Sequence, residues 1–139
     1  MISKSCTYAI RALIYLAKSE SKGFVSIREL SNELDISFHF LAKILQALAQ
    51  KGILLSEKGP KGGLKLLVPP ERLTIKEIII AVDGNKLFEK CMLGFDECSD
   101  AEPCALHDIW IKLRTELNRN IQNLSLTFLT KKINSSNRL

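Results

Sequence analysis

Aromatic side chains are scarce in this chain: Phe, Trp and Tyr together make up 6% of it, so no aromatic-rich recognition surface dominates. Long apolar runs are missing as well. None approaches the roughly 20 residues that a membrane-spanning helix needs. The first apolar stretch is interrupted by Lys4 and Arg11, and no small-residue cleavage pattern follows it. No secretory signal and no membrane association are therefore expected, and the expected location is the cytoplasm. The signatures of catalysis are absent too: no nucleophile elbow, no phosphate-binding loop, and no paired carboxylates suited to acid–base work. An enzyme is not expected. There is no internal repeat and no low-complexity segment.

What is present bounds the class. A chain of 139 residues fits one domain, or one small domain with an appendage, and can bury a core without staples. Lys and Arg number 20 against 15 Asp and Glu, an excess of 20 − 15 = 5. The excess is uneven. Lys51, Lys58, Lys61 and Lys65 surround one turn, whereas Asp96, Glu97, Asp100 and Glu102 share another segment. That asymmetry predicts a basic face for a polyanion and a separate acidic face.

Taken in order, Ala9, Ile10, Leu13, Ile14 and Leu16 have helical spacing, with Arg11 and Lys18 outside and Cys6 just before or in the first turn. Ser26 with Glu29 three residues later is a capping box and predicts a short second helix that buries Leu30 and Leu34. Asp35-Ile36 reads as a turn. Ser37 then caps a third helix through Lys51, with Phe40, Leu41, Ile44, Leu45 and Leu48 inside, and Gly52 follows where a helix end tolerates positive φ. Two helices joined this tightly, the second longer, form a helix-turn-helix pattern. Its second helix would enter a major groove by its N-terminal end. The residues placed to contact DNA are Arg28, Ser37, Phe38, His39, Phe40 and Lys43; Phe40 thus serves both faces. An ordinary helical hairpin with a solvated polar face fits these helices equally well.

The next segment favours DNA. Residues 53–57 and 64–68 are strand-like, and Lys58-Gly59-Pro60-Lys61-Gly62-Gly63 between them is turn chemistry throughout. A basic hairpin after a recognition helix is a wing. Lys58 and Lys61 supply charge, and Gly62 and Gly63 let the backbone approach a phosphate or minor groove. Thr74 and Glu77 form a second capping box, opening a helix through about Val82. A long helix is predicted from about Ala105 past Leu124, with Ile109, Leu113, Leu117, Ile121, Leu124 and Phe128 along one stripe. Such a stripe, late in a chain whose winged unit already has a core, predicts a dimer interface or packing back on the first helix. The fold class is mainly α with a small β-wing. A winged helix-turn-helix unit spans residues 1–70, and residues 71–139 hold a loop and the dimerisation helices.

That loop carries Cys91, Cys98 and Cys104, with His107 one helical turn on, spaced C-x6-C-x5-C-x2-H. In a reduced compartment, clustered thiols point to a metal or to redox chemistry rather than to structural disulfides. Thiolate and imidazole suit zinc or an iron–sulfur cluster. Structural zinc sites usually show paired short knuckles, and these spacings are wider. The residues leave four readings open: cluster, zinc, thiol redox switch, or free thiols.

Read together, several stretches resemble the Rrf2 family of bacterial winged-helix transcription regulators, in its iron–sulfur-binding, IscR- and NsrR-like branch. They are Tyr8-Ala9-Ile10-Arg11-Ala12-Leu13, Ile36-Ser37 leading to Phe40-Leu41, Gly59-Pro60-Lys61-Gly62-Gly63, Ile80-Ala81-Val82-Asp83-Gly84, and the three cysteines. The resemblance covers nearly the whole chain. It implies a homodimer that binds a double-stranded, partly palindromic operator, with a long C-terminal helix crossing the partner. It also implies that Cys91, Cys98 and Cys104 ligate a cluster, with His107 at the position that supplies the fourth ligand to a [2Fe–2S] cluster. Members with [4Fe–4S] use an acid near the partner's N-terminus, where this chain reads Ser5-Cys6-Thr7-Tyr8 without a carboxylate; [2Fe–2S] is favoured. The first cysteine spacing has six intervening residues where the family pattern has five.

Overall fold

A computed structural model describes residues 2–96 and 99–136 of the chain. The first helix, α1 (Lys4–Lys18), begins at Ser3, whose hydroxyl accepts the Cys6 amide N–H. That oxygen satisfies one of the amides that a helix start leaves unpaired. The early start draws Cys6 into the core beside Ala9, Leu13 and Leu16. Arg11, expected outside, is half-buried and donates to the Leu34 carbonyl at 3.1 Å. It serves a carbonyl that the end of the second helix leaves without a helical partner.

That second helix, α2 (Ile27–Leu34), is capped by Ser26, whose hydroxyl accepts the Glu29 amide at 3.1 Å. The other half of the expected capping box is not made. The Glu29 carboxylate instead accepts the Tyr15 hydroxyl at 2.9 Å, tying α2 to α1. Asp35 ends α2 at φ 52°, the left-handed region that a short polar side chain tolerates. The third helix, α3 (Phe38–Gln50), buries Leu41, Ile44, Leu45 and Leu48. Ser37 stands at its cap position, but the side chain makes no capping bond. Phe40 is not inside: it is 38% exposed. One residue before Leu41, it lies about 100° round the helix from the buried stripe, and it packs edge-on against Tyr8 at 5.7 Å.

The hairpin is present and shorter than expected. β1 (Leu54–Glu57) pairs antiparallel with β2 (Gly63–Leu66), Leu54 opposite Leu66 and Glu57 opposite Gly63. A bridge from Val25 to Leu64, with N–H···O distances of 2.9 and 2.8 Å, fastens the hairpin to the start of α2. Gly63 has φ 142°, and a Cβ there would collide with the Val25 carbonyl. The close backbone approach at Gly63 is thus one this fold itself requires.

α4 (Ile75–Asp83) carries the complete Thr74–Glu77 capping box. A one-turn helix, α5 (Lys86–Glu89), precedes Cys91 in a stretch expected to be loop. The late helix is two helices rather than one: α6 (His107–Ile121) and α7 (Leu126–Ser136). Between them the chain turns aside to pair with the segment before α4. The Ile75 amide donates to Leu124 at 2.8 Å, and the Leu126 amide donates to Leu73 at 2.7 Å. The apolar period runs through this break because Ile121, Leu124 and Leu129 all meet the same core, with Leu126 fully buried among them. α1 is the common support, packing against α3, α4 and α7. No helix among the described residues is long and apolar enough to cross a membrane.

Candidate metal centre and nucleic-acid interface

The cysteine segment leaves α5 and re-enters helical structure at His107, the first residue of α6. Its entrance is held from α6. The Trp110 indole N–H donates to the Lys90 carbonyl at 2.9 Å, and the Arg114 guanidinium donates to the Glu89 carbonyl at 2.9 Å. These side chains satisfy carbonyls at the end of α5 and bring Cys91 against the first turns of α6. The His107 amide donates to the Cys104 carbonyl at 3.0 Å, which sets Cys104 on the same turn.

Cys91 and His107 are buried and Cys104 is half-buried. The two sulfurs lie 3.6 Å apart. A disulfide needs about 2.05 Å. Two thiolates on one tetrahedral ion with bonds of about 2.3 Å lie about 3.8 Å apart. The observed separation therefore fits two ligands of one metal or cluster. Burial pushes the Cys91 thiol up. The backbone N–H groups of Leu93, Phe95 and Gly94 and the Cys104 thiol act on its sulfur and outweigh burial, so the group titrates below the ordinary 9.0. Backbone amides turned toward a sulfur favour the thiolate, the form that binds metal.

Cys91, Cys104 and His107 line one cavity of about 640 Å³, together with Phe95, Asp96 and Glu102. Their chemistry, soft thiolates with an imidazole, fits an iron–sulfur cluster or zinc. Among the described residues, no three His, Cys, Asp or Glu side chains already converge on one point. Cys98 lies outside the described residues. His107 holds its Nε2 at 2.8 Å from the Asp100 carboxylate. Cys6 is elsewhere in role: it has no exposed surface, and burial first, then the Asp83 carboxylate, push its thiol up to about 11. That is the behaviour of a core thiol.

The other candidate face lies at the start of α3 and on the hairpin. Arg28, Ser37, Phe38, His39, Phe40, Lys43, Lys58 and Lys61 are all exposed. The Arg28 guanidinium stacks over the Phe38 ring at 5.6 Å, and Lys4 lies 5.8 Å over Tyr8, which itself contacts Phe40. Two cations are thus held on aromatic faces beside the N-terminus of α3, where the helix dipole also favours anions. Gly62 is hemmed in by the Glu57 carbonyl, so its small size closes the hairpin.

The family described as Rrf2, iron-dependent transcriptional regulator, matches residues 2–132. The chain belongs to the Rrf2 family. It is 33% identical over 119 residues to a protein of Aquifex aeolicus named as an HTH-type transcriptional regulator, covering 84% of this chain and 82% of that one. It is 28% identical over 119 residues to the transcriptional regulator IscR of Aliivibrio salmonicida, covering 86% and 70%. Among solved structures, the oxidised form of Staphylococcus aureus CymR is similar at TM-score 0.74 and 28% identity, covering 94% of this chain and 95% of that one. The small two-stranded sheet among helices is the winged-helix fold of these Rrf2 regulators.

Sequence reasoning about this Rrf2 chain misses the residues that hold its candidate ligands in place. Trp110 and Arg114 read only as members of a helix, and Asp100 as one acid among four. No spacing rule marks a side chain that reaches a carbonyl 20 or 25 residues away. Lys4 and Tyr8 are equally silent, because their link to Phe40 exists only after α1 and α3 cross.

Proposed function

We propose that the protein is a dimeric, DNA-binding transcriptional repressor controlled by an iron–sulfur cluster held by Cys91, Cys98, Cys104 and His107. The observation that carries this reading is the 3.6 Å separation of the Cys91 and Cys104 sulfurs on the wall of a cavity that His107 also lines. The core position of Cys6, with no carboxylate beside it in sequence, supports His107 as fourth ligand and hence [2Fe–2S] over [4Fe–4S]. When bound, such a cluster supplies a centre whose presence and charge respond to iron supply, oxidants or nitric oxide. The chain's own residues do the rest. Trp110 and Arg114 join the cysteine segment to α6, so a change in the segment shifts a helix whose Ile109 and Leu113 are 61% and 56% exposed. Those side chains are placed to meet a second copy. In each copy the start of α3 reads a major groove, and Lys58 and Lys61 of the hairpin meet phosphates. Regulation requires the two states to differ in affinity for the operator.

The test is anaerobic purification followed by iron analysis and visible spectroscopy of the wild type and of Cys91→Ser, Cys98→Ala and Cys104→Ser. Each variant is expected to lose its iron and colour while keeping its helical circular dichroism. A fully coloured variant removes that cysteine from the ligand set, and zinc in place of iron in the wild type overturns the cluster. Operator affinity of loaded and metal-free protein, read by gel shift on the chain's own promoter, tests the regulatory step.

A second reading is favoured by the same sulfur pair. Cys91 and Cys104 are close enough that a small movement joins them as a disulfide, and a relative at 28% identity, CymR, has been solved in an oxidised form. Colourless protein that loses two titratable thiols on mild oxidation, with a change in DNA affinity, would select the thiol switch.

A further inference from the structure

His107 has its ring buried inside the cysteine cavity wall, yet its Nε2 is already engaged at 2.8 Å by a carboxylate whose own side chain lies in solvent. An ionised carboxylate only accepts hydrogen bonds, so this Nε2 carries the ring proton. In a neutral imidazole the lone pair then resides on Nδ1. The cavity wall adds a second observation. Among the described residues, Cys91, Cys104 and His107 line it, and Asp100 does not. The carboxylate therefore stands behind the imidazole rather than among the sulfur ligands.

We propose that Asp100 is the positioning residue of the metal centre: it accepts a hydrogen bond from the Nε2–H of His107 and so presents Nδ1 as the coordinating nitrogen. This rests on the reading of His107 as a ligand. A histidine that ligates metal commonly donates its other N–H to a carboxylate or carbonyl, which fixes both ring orientation and ligand atom. Because Asp100 is exposed, its contact contributes little to folding stability. Its work is to choose between two nitrogens. Asp100 also sits within the acidic segment read from the sequence, which gives that segment a role beyond charge.

The full chain tests this in two states. In the metal-free protein, 15N chemical shifts of the imidazoles report which nitrogen is protonated; with only two histidines present, His39→Ala leaves His107 alone in the spectrum. Protonated Nε2 is expected in wild type and in Asp100→Asn, whose side-chain oxygen still accepts the N–H. Asp100→Ala is expected to lose that preference. In anaerobically reconstituted protein, selective 15N labelling of Nδ1 or Nε2 with pulsed EPR of the reduced cluster identifies the bound nitrogen. Nδ1 is expected; coupling to Nε2 overturns the proposal. Iron release to a chelator should quicken by roughly 10- to 100-fold in Asp100→Ala and stay near wild type in Asp100→Asn. If His107→Ala alters the spectrum while Asp100→Ala changes neither release nor shifts, the positioning role fails and the ligand assignment stands. If His107→Ala leaves spectrum and release unchanged, the ligand assignment itself falls, and the role of Asp100 with it.

Discussion

Cys6 shows what a single buried side chain can report. It has no exposed surface, and its thiol is raised from 9.0 to about 11, by burial first and by Asp83 second. Asp83 stays close because it accepts both the amide and the hydroxyl of Ser3. A folded-state value above the unfolded one means that this contribution is fully present below about pH 9 and is lost as pH rises through about 11. Two units correspond to about 2–3 kcal/mol at most. Cys6→Ala removes packing at every pH but removes this penalty only in alkali. Urea unfolding under reducing conditions at pH 7.5, 9.5 and 10.5 should show wild type and variant converging as pH rises; parallel curves would contradict the buried-thiol account. At this scale the sequence is least informative. It offers Cys6 as a thiol of undecided use, because burial is a property of the packed helix and not of the residue. It also places Arg11 outside, since an amphipathic pattern cannot show that the carbonyl of Leu34, on another helix, lacks a partner.

Elements are easier to read, because caps and periodicity are local. Ser26, Thr74, Gly52 and the turn chemistry from Lys58 to Gly63 each mark a boundary that the backbone respects. The boundary that escapes a sequence reading lies between α6 and α7, where neither Gly nor Pro interrupts the helical period. What breaks the helix there is pairing of backbone groups with residues 73–75, which are distant in sequence and invisible to local propensity. The hairpin illustrates the reverse case. Composition alone assigns its glycines to DNA, whereas Gly62 and Gly63 answer first to carbonyls inside the protein. The charge on the tip is still available. Lys61→Ala should weaken binding to specific and random duplexes alike and reduce the slope of log affinity against log salt by about 0.9 for each phosphate it no longer neutralises. Anisotropy titrations over a range of about 50 to about 200 mM salt resolve slopes of this size. An unchanged slope would take the wing tip off the backbone.

For the whole molecule, α1 joins the candidate reading face at the start of α3 to the later helices α4 and α7. It lies on α3 through Tyr8 and Phe40, and on α4 and α7 through its buried side. Ile109 and Leu113 on α6 are exposed, and the proposed dimer uses them as its contact with a second copy. Leu113→Asp should shift the protein to monomer in sedimentation while preserving circular dichroism and the fold of the winged unit. Operator affinity should fall with it, since two half-sites are then bound separately. A variant still dimeric would move the interface elsewhere. The position of Trp110 carries one more consequence. It is the single tryptophan of the chain, and its indole is hydrogen-bonded to the carbonyl preceding Cys91, with Phe95 and Met92 lining the same hollow. All indole emission therefore originates one peptide unit from the cysteine segment, so the unmodified protein carries its own fluorophore for following that segment in real time.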